Sequence, residues 1–336
     1  MIPFRKYLHP AALFLSTLLF IVLTINGCQQ QKTDPPEKIT IAYTTNLNPV
    51  LIHIALVKGF FKEEGLEATP QPHAFGKVAL QSVIDGKADI ATVADTPIMF
   101  AVMAGRPITT LAVLQTSNRN AAIVARQDRG ITRPSDLKGK KIGLTLGTTG
   151  HFFTDSFLQL HNIGRKQVKI IDMNPDKMAH ALDIGEVDAV SIWNPHLTQI
   201  KKRLGSKGIL FFDESLYTEN FCLVARQKYA KKNPEAVKKV LRALIKAEIF
   251  VHEYPEESRR LVAGFLKVDK ALLDEIWDIF MFRVALDQAL LVDIEDQTRW
   301  AIKNRLTPNN VMPNYLDFIY LDGLEAVKPD AVRIIH

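Results

Sequence analysis

Cysteine is nearly missing from this chain. Two occur in 336 residues, Cys28 and Cys222, so a disulfide scaffold is excluded and an apolar core has to hold the fold. A large excess of one charge is missing too: 42 Lys and Arg stand against 36 Asp and Glu, a net +6. Setting aside residues 1–27, which carry Arg5, Lys6 and no acid, leaves +4 and gives nucleic-acid binding no special electrostatic support. No apolar run is long enough to cross a bilayer comfortably. The longest, residues 11–25, would rise about 22 Å as a helix against a hydrocarbon core of roughly 30 Å. Catalytic signatures are equally scarce. There is no G-x-S-x-G elbow, no H-E-x-x-H, no G-x-x-x-x-G-K-[ST] loop and no G-x-G-x-x-G turn, and the nine His do not pair at zinc spacing. An enzyme, a metal site and a cofactor are therefore not expected.

What is present begins with a leader. Arg5 and Lys6 precede the apolar run, which stops at Asn26, Gly27 and Cys28, the pattern of an export signal. The ending resembles a bacterial lipoprotein signal, which implies acylation of Cys28 as the new N-terminus and attachment to a membrane through that lipid. The polar, proline-bearing residues 28–37 read as a flexible tether. Cys222, inside the apolar run FCLVA, is expected to be a buried small hydrophobe rather than a nucleophile.

From Lys38 onward short strands alternate with helices. KITIAYT, LEATP, ADIATVA and ITTLAVLQ form one set, and KKIGLT, QVKIID, DAVSIW and GILFF a second, which predicts two α/β lobes, each a mostly parallel sheet flanked by helices. Two echoes suggest duplication. AAIVARQ at 121–127 returns as CLVARQ at 222–227, and Gly86-x-x-Asp89 returns as Gly185-x-x-Asp188, each followed by a proline, Pro97 or Pro195. The VARQ segments are read as hinge strands, with residues 38–120 and 223–336 forming lobe 1 and residues 121–222 lobe 2. Past Asn233 the pattern turns helical, at 235–252, 256–265, 271–282 and 293–303.

In open α/β sheets ligands bind outside the carboxyl ends of the strands, where helix N-termini offer unpaired N–H groups. The residues at those ends are Thr44 and Asn46, Phe75 and Gly76, Asp95 and Thr96, Thr116, then Thr148, Thr149 and Gly150, and finally Trp193 and Asn194. Asp95 and Asn194 also fit as helix caps, and Trp193 as core. The Gly147-Thr148-Thr149-Gly150 run, two hydroxyls between two flexible residues, reads as a cradle for an anion or polar group. Asp95 facing Trp193 would favour a ligand with an anionic end and a donor end. Lys77 is read as solvated.

The runs LVKGFFKEEGLEATPQ, VIDGKADIATVADTPIMFAVMAGRPI, DLKGKKIGLTLGTTG and IGEVDAVSIWNP resemble the periplasmic solute-binding proteins of nitrate, sulfonate, taurine and bicarbonate importers, a superfamily that includes binders of the thiamine pyrimidine precursor. The resemblance covers residues 38 to about 325. It implies a two-lobed type II binding-protein fold that closes on a small solute and delivers it to a membrane permease driven by an ATPase. An aminopyrimidine as the ligand, or a secreted enzyme or sensor input on the same fold, are the alternatives.

Overall fold

A computed structural model describes Met1 and residues 35–336; Cys28, the leader and most of the tether lie outside the described residues. The described residues form twelve strands: β1 (Glu37–Thr44), β2 (Leu66–His73), β3 (Ile90–Ala94), β4 (Ile108–Ser117), β5 (Ala121–Arg126), β6 (Lys141–Leu144), β7 (Lys169–Asp172), β8 (Ala189–Trp193), β9 (Gly208–Phe211), β10 (Glu219–Arg226), β11 (Met281–Asp287) and β12 (Val332–Arg333). The helices that matter for the site are α1 (Val50–Lys58), α2 (Gly76–Ile84), α3 (Asp95–Met103), α4 (Thr149–Leu160), α5 (Pro175–Ile184), α6 (His196–Leu204), α7 (Pro234–Glu253), α8 (Pro255–Leu266) and α9 (Gln288–Lys303).

The strands form two sheets, β12-β11-β4-β10-β3-β1-β2 and β7-β6-β8-β5-β9. Five strands of the larger sheet repeat the order of the smaller one, with β1 matching β6 and β10 matching β5. The pairs built by βαβ crossovers are parallel, β1 with β2 and β3, and β6 with β7 and β8. The expected mostly parallel sheets need a refinement here. β10 runs antiparallel between β3 and β4, and β5 antiparallel between β8 and β9, because these strands enter each sheet from the other lobe rather than through a crossover helix.

Both sequence echoes have a physical cause. In the larger sheet Asp89 Oδ2 accepts from the Thr40 N–H at 2.8 Å, and in the smaller one Asp188 Oδ2 accepts from the Lys141 N–H at 2.8 Å. Each Asp fixes the register of the sheet's first strand. The arginine of each VARQ run reaches the end of the neighbouring helix. Arg226 donates to the Val83 and Ala88 carbonyls at 2.8 and 3.0 Å, and Arg126 to those of Leu182 and Asp183 at 3.2 and 3.4 Å. A cation there satisfies carbonyls that the helix leaves unpaired and complements its dipole. Gly86 and Gly185 make the left-handed turns, at φ of 75° and 81°, that let both helices stop. Arg126→Met should cost about 1.5–3 kcal/mol in urea unfolding, since it removes charge-assisted bonds at a site only 9% exposed.

The return strand β10 starts at Glu219, so residues 219–222, read from the sequence as part of lobe 2, belong to the larger sheet. A second correction concerns 271–282. The helix there stops at Ile276, and the chain then becomes β11, paired with β4. The alternation Phe282-Arg283-Val284 suits a pleated strand beside β4, and this tertiary partner overrides the local helical reading. α7 and α8 pack on α1 and close the core beneath the larger sheet. Cys222 is free and fully buried in that core. Among the described residues no helix is long and apolar enough to cross a membrane.

Candidate ligand-binding site

A cavity of about 20 Å³ lies where the two sheets present the carboxyl ends of their strands to each other. That volume holds about one water molecule. Asn46 and Asn48 lead into α1, and Phe75, Gly76 and Lys77 into α2; Ala94 and Pro97 frame the start of α3, while Thr148 and Thr149 open α4. At α1, α2 and α4 no side chain caps the free N–H groups, whereas at α3 the Asp95 carboxylate accepts from the Thr96 N–H at 2.8 Å. The partial positive charges of α1, α2 and α4 therefore converge on one small space. Close packing holds the arrangement. A Cβ on Gly76 would lie 3.0 Å from the Val93 Cα, and one on Gly150 3.1 Å from the Ser191 carbonyl oxygen, so both helices start directly against strand backbone. Trp193, at the end of β8, and Phe221 complete the wall.

The carboxyl of the site is Glu219, at the start of β10. It is buried, and its Oε1 accepts from the Asn48 and Asn120 amides at 2.7 and 2.8 Å. Burial, then the charge of Asp95, push its carboxyl up to about 8, against smaller opposing effects from Asn120, Thr149 and Asn48. At neutral pH Glu219 is therefore neutral and can donate its proton. Asp95 titrates lower, at about 6, raised chiefly by burial and held down by Tyr217 and Asn220.

The cavity brings together six of the residues picked from sequence: Asn46, Phe75, Gly76, Thr148, Thr149 and Trp193. The others sit elsewhere. Asp95 is fully buried behind the cavity, its carboxylate taken up by the Tyr217 hydroxyl, the Thr96 N–H and both the backbone and side-chain nitrogens of Asn220. It does not face Trp193 across the lobes. Thr96 is buried beside it, and Thr44 supports the rim by donating to Asn46 Oδ1 at 2.7 Å. Gly150 lies one residue inside α4, its carbonyl accepting from Ser191 Oγ at 3.0 Å. Asn194 Oδ1 accepts from the Thr198 N–H and hydroxyl and so caps α6. Thr116 lines a separate groove of about 610 Å³ with Arg119, Arg259 and Trp277. Sequence reasoning passed over Glu219 and Asn120. Lys77 is exposed, as a solvated charge would be, and it also donates to the Leu146 carbonyl of the other lobe at 2.9 Å.

The lobes meet again beyond the cavity. Trp300 of α9 donates from Nε1 to Asp155 Oδ2 of α4 at 3.0 Å, and Asp155 is also paired with Arg165. Phe152 packs edge-on against both Tyr217 and Trp300, with ring centroids 5.2 Å apart in each case.

Residues 46–258 match the model of the family described as NMT1/THI5 like. The chain belongs to the NMT1/THI5-like family. A Bacillus subtilis (strain 168) protein named for binding aliphatic sulfonates is 29% identical over 272 residues, 78% of this chain and 81% of that one. The taurine-binding periplasmic protein of Escherichia coli (strain K12) is 24% identical over 62% of this chain and 65% of its own length. The solved structure of the alkanesulfonate-binding protein SsuA from Xanthomonas axonopodis pv. citri, bound to MOPS, superposes with a TM-score of 0.75 at 18% identity, over 86% of this chain and 99% of that one. At that identity the likeness establishes the two-lobed binding-protein fold.

Proposed function

We propose that this NMT1/THI5-like chain is an extracytoplasmic substrate-binding protein of an ABC importer, anchored through lipid on Cys28, which captures a sulfonate between its lobes and presents it to a membrane permease and ATPase. The observation that carries the reading is the convergence of three uncapped helix N-termini, those of α1, α2 and α4, on a cavity whose carboxyl, Glu219, is buried and raised to about 8. Such a space suits an anionic head with several acceptor oxygens: N–H dipoles and the Thr149 hydroxyl donate to it, and protonated Glu219 adds a further donor instead of a repelling charge. The sulfonate and taurine ligands in the relatives' names fit that chemistry. Open and closed lobes would exchange about the two crossings at 118–120 and 212–218, and a ligand touching both lobes would favour closure by its differential affinity.

Titration calorimetry with ethanesulfonate, taurine and nitrate tests the reading. Ethanesulfonate should bind, and Thr149→Val should weaken it ten- to a hundredfold through loss of a charge-assisted bond. Absence of binding by every sulfonate tried would sink it. A second reading is favoured by Trp193 lining the cavity together with Glu219, an aromatic side chain and a carboxyl, which suits a flat aminopyrimidine. Its affinity should rise with pH as Glu219 ionises, the opposite sign to that of a simple sulfonate. For the anchor, Cys28→Ala should release the protein from the membrane fraction and change its mature mass. Unchanged fractionation and mass would count against lipidation.

A further inference from the structure

Beside that cavity lies a second space that the proposed head site does not use. It is a groove of about 470 Å³ between α2 and α3 of lobe 1 and the turn before α4 in lobe 2. Lys77 and Pro97 line both spaces, so groove and cavity adjoin, separated where Lys77 reaches the Leu146 carbonyl. The turn carries no side chain at that wall. Gly147 has φ of 72°, and a Cβ there would lie 3.4 Å from Lys77 Nζ and 3.6 Å from the Phe100 ring.

The groove's chemistry differs from the cavity's. Leu80, Ile84, Phe100 and Leu306 give it an apolar floor, and Lys77, Arg106 and Arg165 a cationic rim. Among the described residues no carboxylate lines it, although Arg165 is paired with Asp155 just behind. His151 lies between these cations and is pushed down to about 3, first by burial and then by the charges of Arg165 and Lys77, so it stays neutral beside them. A positively charged body is disfavoured in such a place. An apolar body attached to an anion is suited to it, because the floor removes carbon surface from water while the rim complements the charge. The size also fits, since pockets that enclose organic ligands run from about 300 to 1,000 Å³. By contrast, a cavity with room for about one water has no place for a carbon skeleton.

We propose that this groove is the subsite for the carbon body of the ligand, so that the protein selects medium-chain alkyl or aryl sulfonates over taurine-sized ones. The proposal rests on the sulfonate reading above and narrows it. The head sits at Thr148 and Thr149, and the body passes Gly147 into the groove as the Lys77–Leu146 bond gives way. The rim then rejects an ammonium on the body, which sets taurine apart from an unsubstituted alkanesulfonate.

Calorimetry on the full-length protein with methane-, ethane-, butane-, hexane- and octanesulfonate, 2-naphthalenesulfonate and taurine tests this. Affinity should tighten about fourfold per methylene up to about six carbons, naphthalenesulfonate should match hexanesulfonate or exceed it, and taurine should bind more weakly than ethanesulfonate. Ala104→Asp places a carboxylate in the groove at an exposed position where folding tolerates it, and should flatten the chain-length dependence while changing ethanesulfonate affinity by no more than about twofold. Phe100→Ala should flatten it as well. If ethanesulfonate binds but affinity does not grow with chain length, or grows equally in Ala104→Asp, the groove is not a subsite and the sulfonate reading stands. If no sulfonate of any length binds, both readings fall.

Discussion

Between pH 7 and pH 9 the affinity for ethanesulfonate should fall about tenfold, and Glu219→Gln should abolish the fall. The cause is the proton on Glu219. Its carboxyl titrates at about 8 because it is buried and close to the Asp95 charge, so below that pH it is a neutral donor and above it a buried anion beside the ligand's own. Each further pH unit above the titration point removes another factor of about ten from the population that can bind. Glutamine keeps the acceptor oxygen needed by Asn48 and Asn120, so the variant should fold. The same proton bears on stability. A carboxyl whose folded value lies above the ordinary value of about 4.3 contributes stability below that value and loses it as pH rises through about 8. The melting temperature of the ligand-free protein should therefore decline from pH 5 to 9, and decline less in Glu219→Gln. A parent whose sulfonate affinity stays flat to pH 9 would show that Glu219 is not the neutral donor described.

The second large effect is expected at Trp300. Trp300→Phe keeps the ring that packs on Phe100, His151 and Phe152 but removes the N–H that meets Asp155 across the lobes. Asp155 is buried, and burial raises its carboxyl above the usual range. On closure it depends on Arg165 and Trp300 to replace water. A hydrogen bond to a charged group contributes about 1.5–3 kcal/mol, so ligand affinity should drop ten- to a hundredfold although no ligand contact has changed. Scattering should then show a larger share of extended molecules at a fixed subsaturating ligand concentration. If affinity is unchanged while the variant folds normally, the Trp300 bond does not contribute to closure.

Some of the site was legible from one rule, that ligands meet the carboxyl ends of strands. Thr148, Thr149, Phe75, Gly76, Asn46 and Trp193 lie there because each follows an apolar strand and precedes a helix, a pattern local in sequence. Glu219 was missed because the return segment was read as starting at Cys222, inside the apolar run that begins at Phe221. The polar residues 219 and 220 looked like loop, and only their pairing with Ser117 and Thr116 of β4 makes them strand. Asp95 was assigned to the cleft because it stands at a strand end. The side of the sheet on which its carboxylate finds partners depends on Tyr217 and Asn220, more than a hundred residues away. Lys77 was taken as solvated because α2 exposes that face, and its partner, the Leu146 carbonyl, belongs to the other lobe.

The sequence by itself determined the alternation of strands and helices, the duplicated Gly-x-x-Asp and VARQ devices, the threonine-bearing start of α4 and the family. All of these are written in short-range periodicity, turn chemistry and contiguous motifs. The tertiary structure decided which polar groups meet, where β10 and β11 enter the larger sheet, and that a carboxyl held by two asparagine amides sits among four helix N-termini. Those outcomes depend on groups far apart in the chain being desolvated together, and the energies of burial and hydrogen bonding that select them exist only once the lobes have packed.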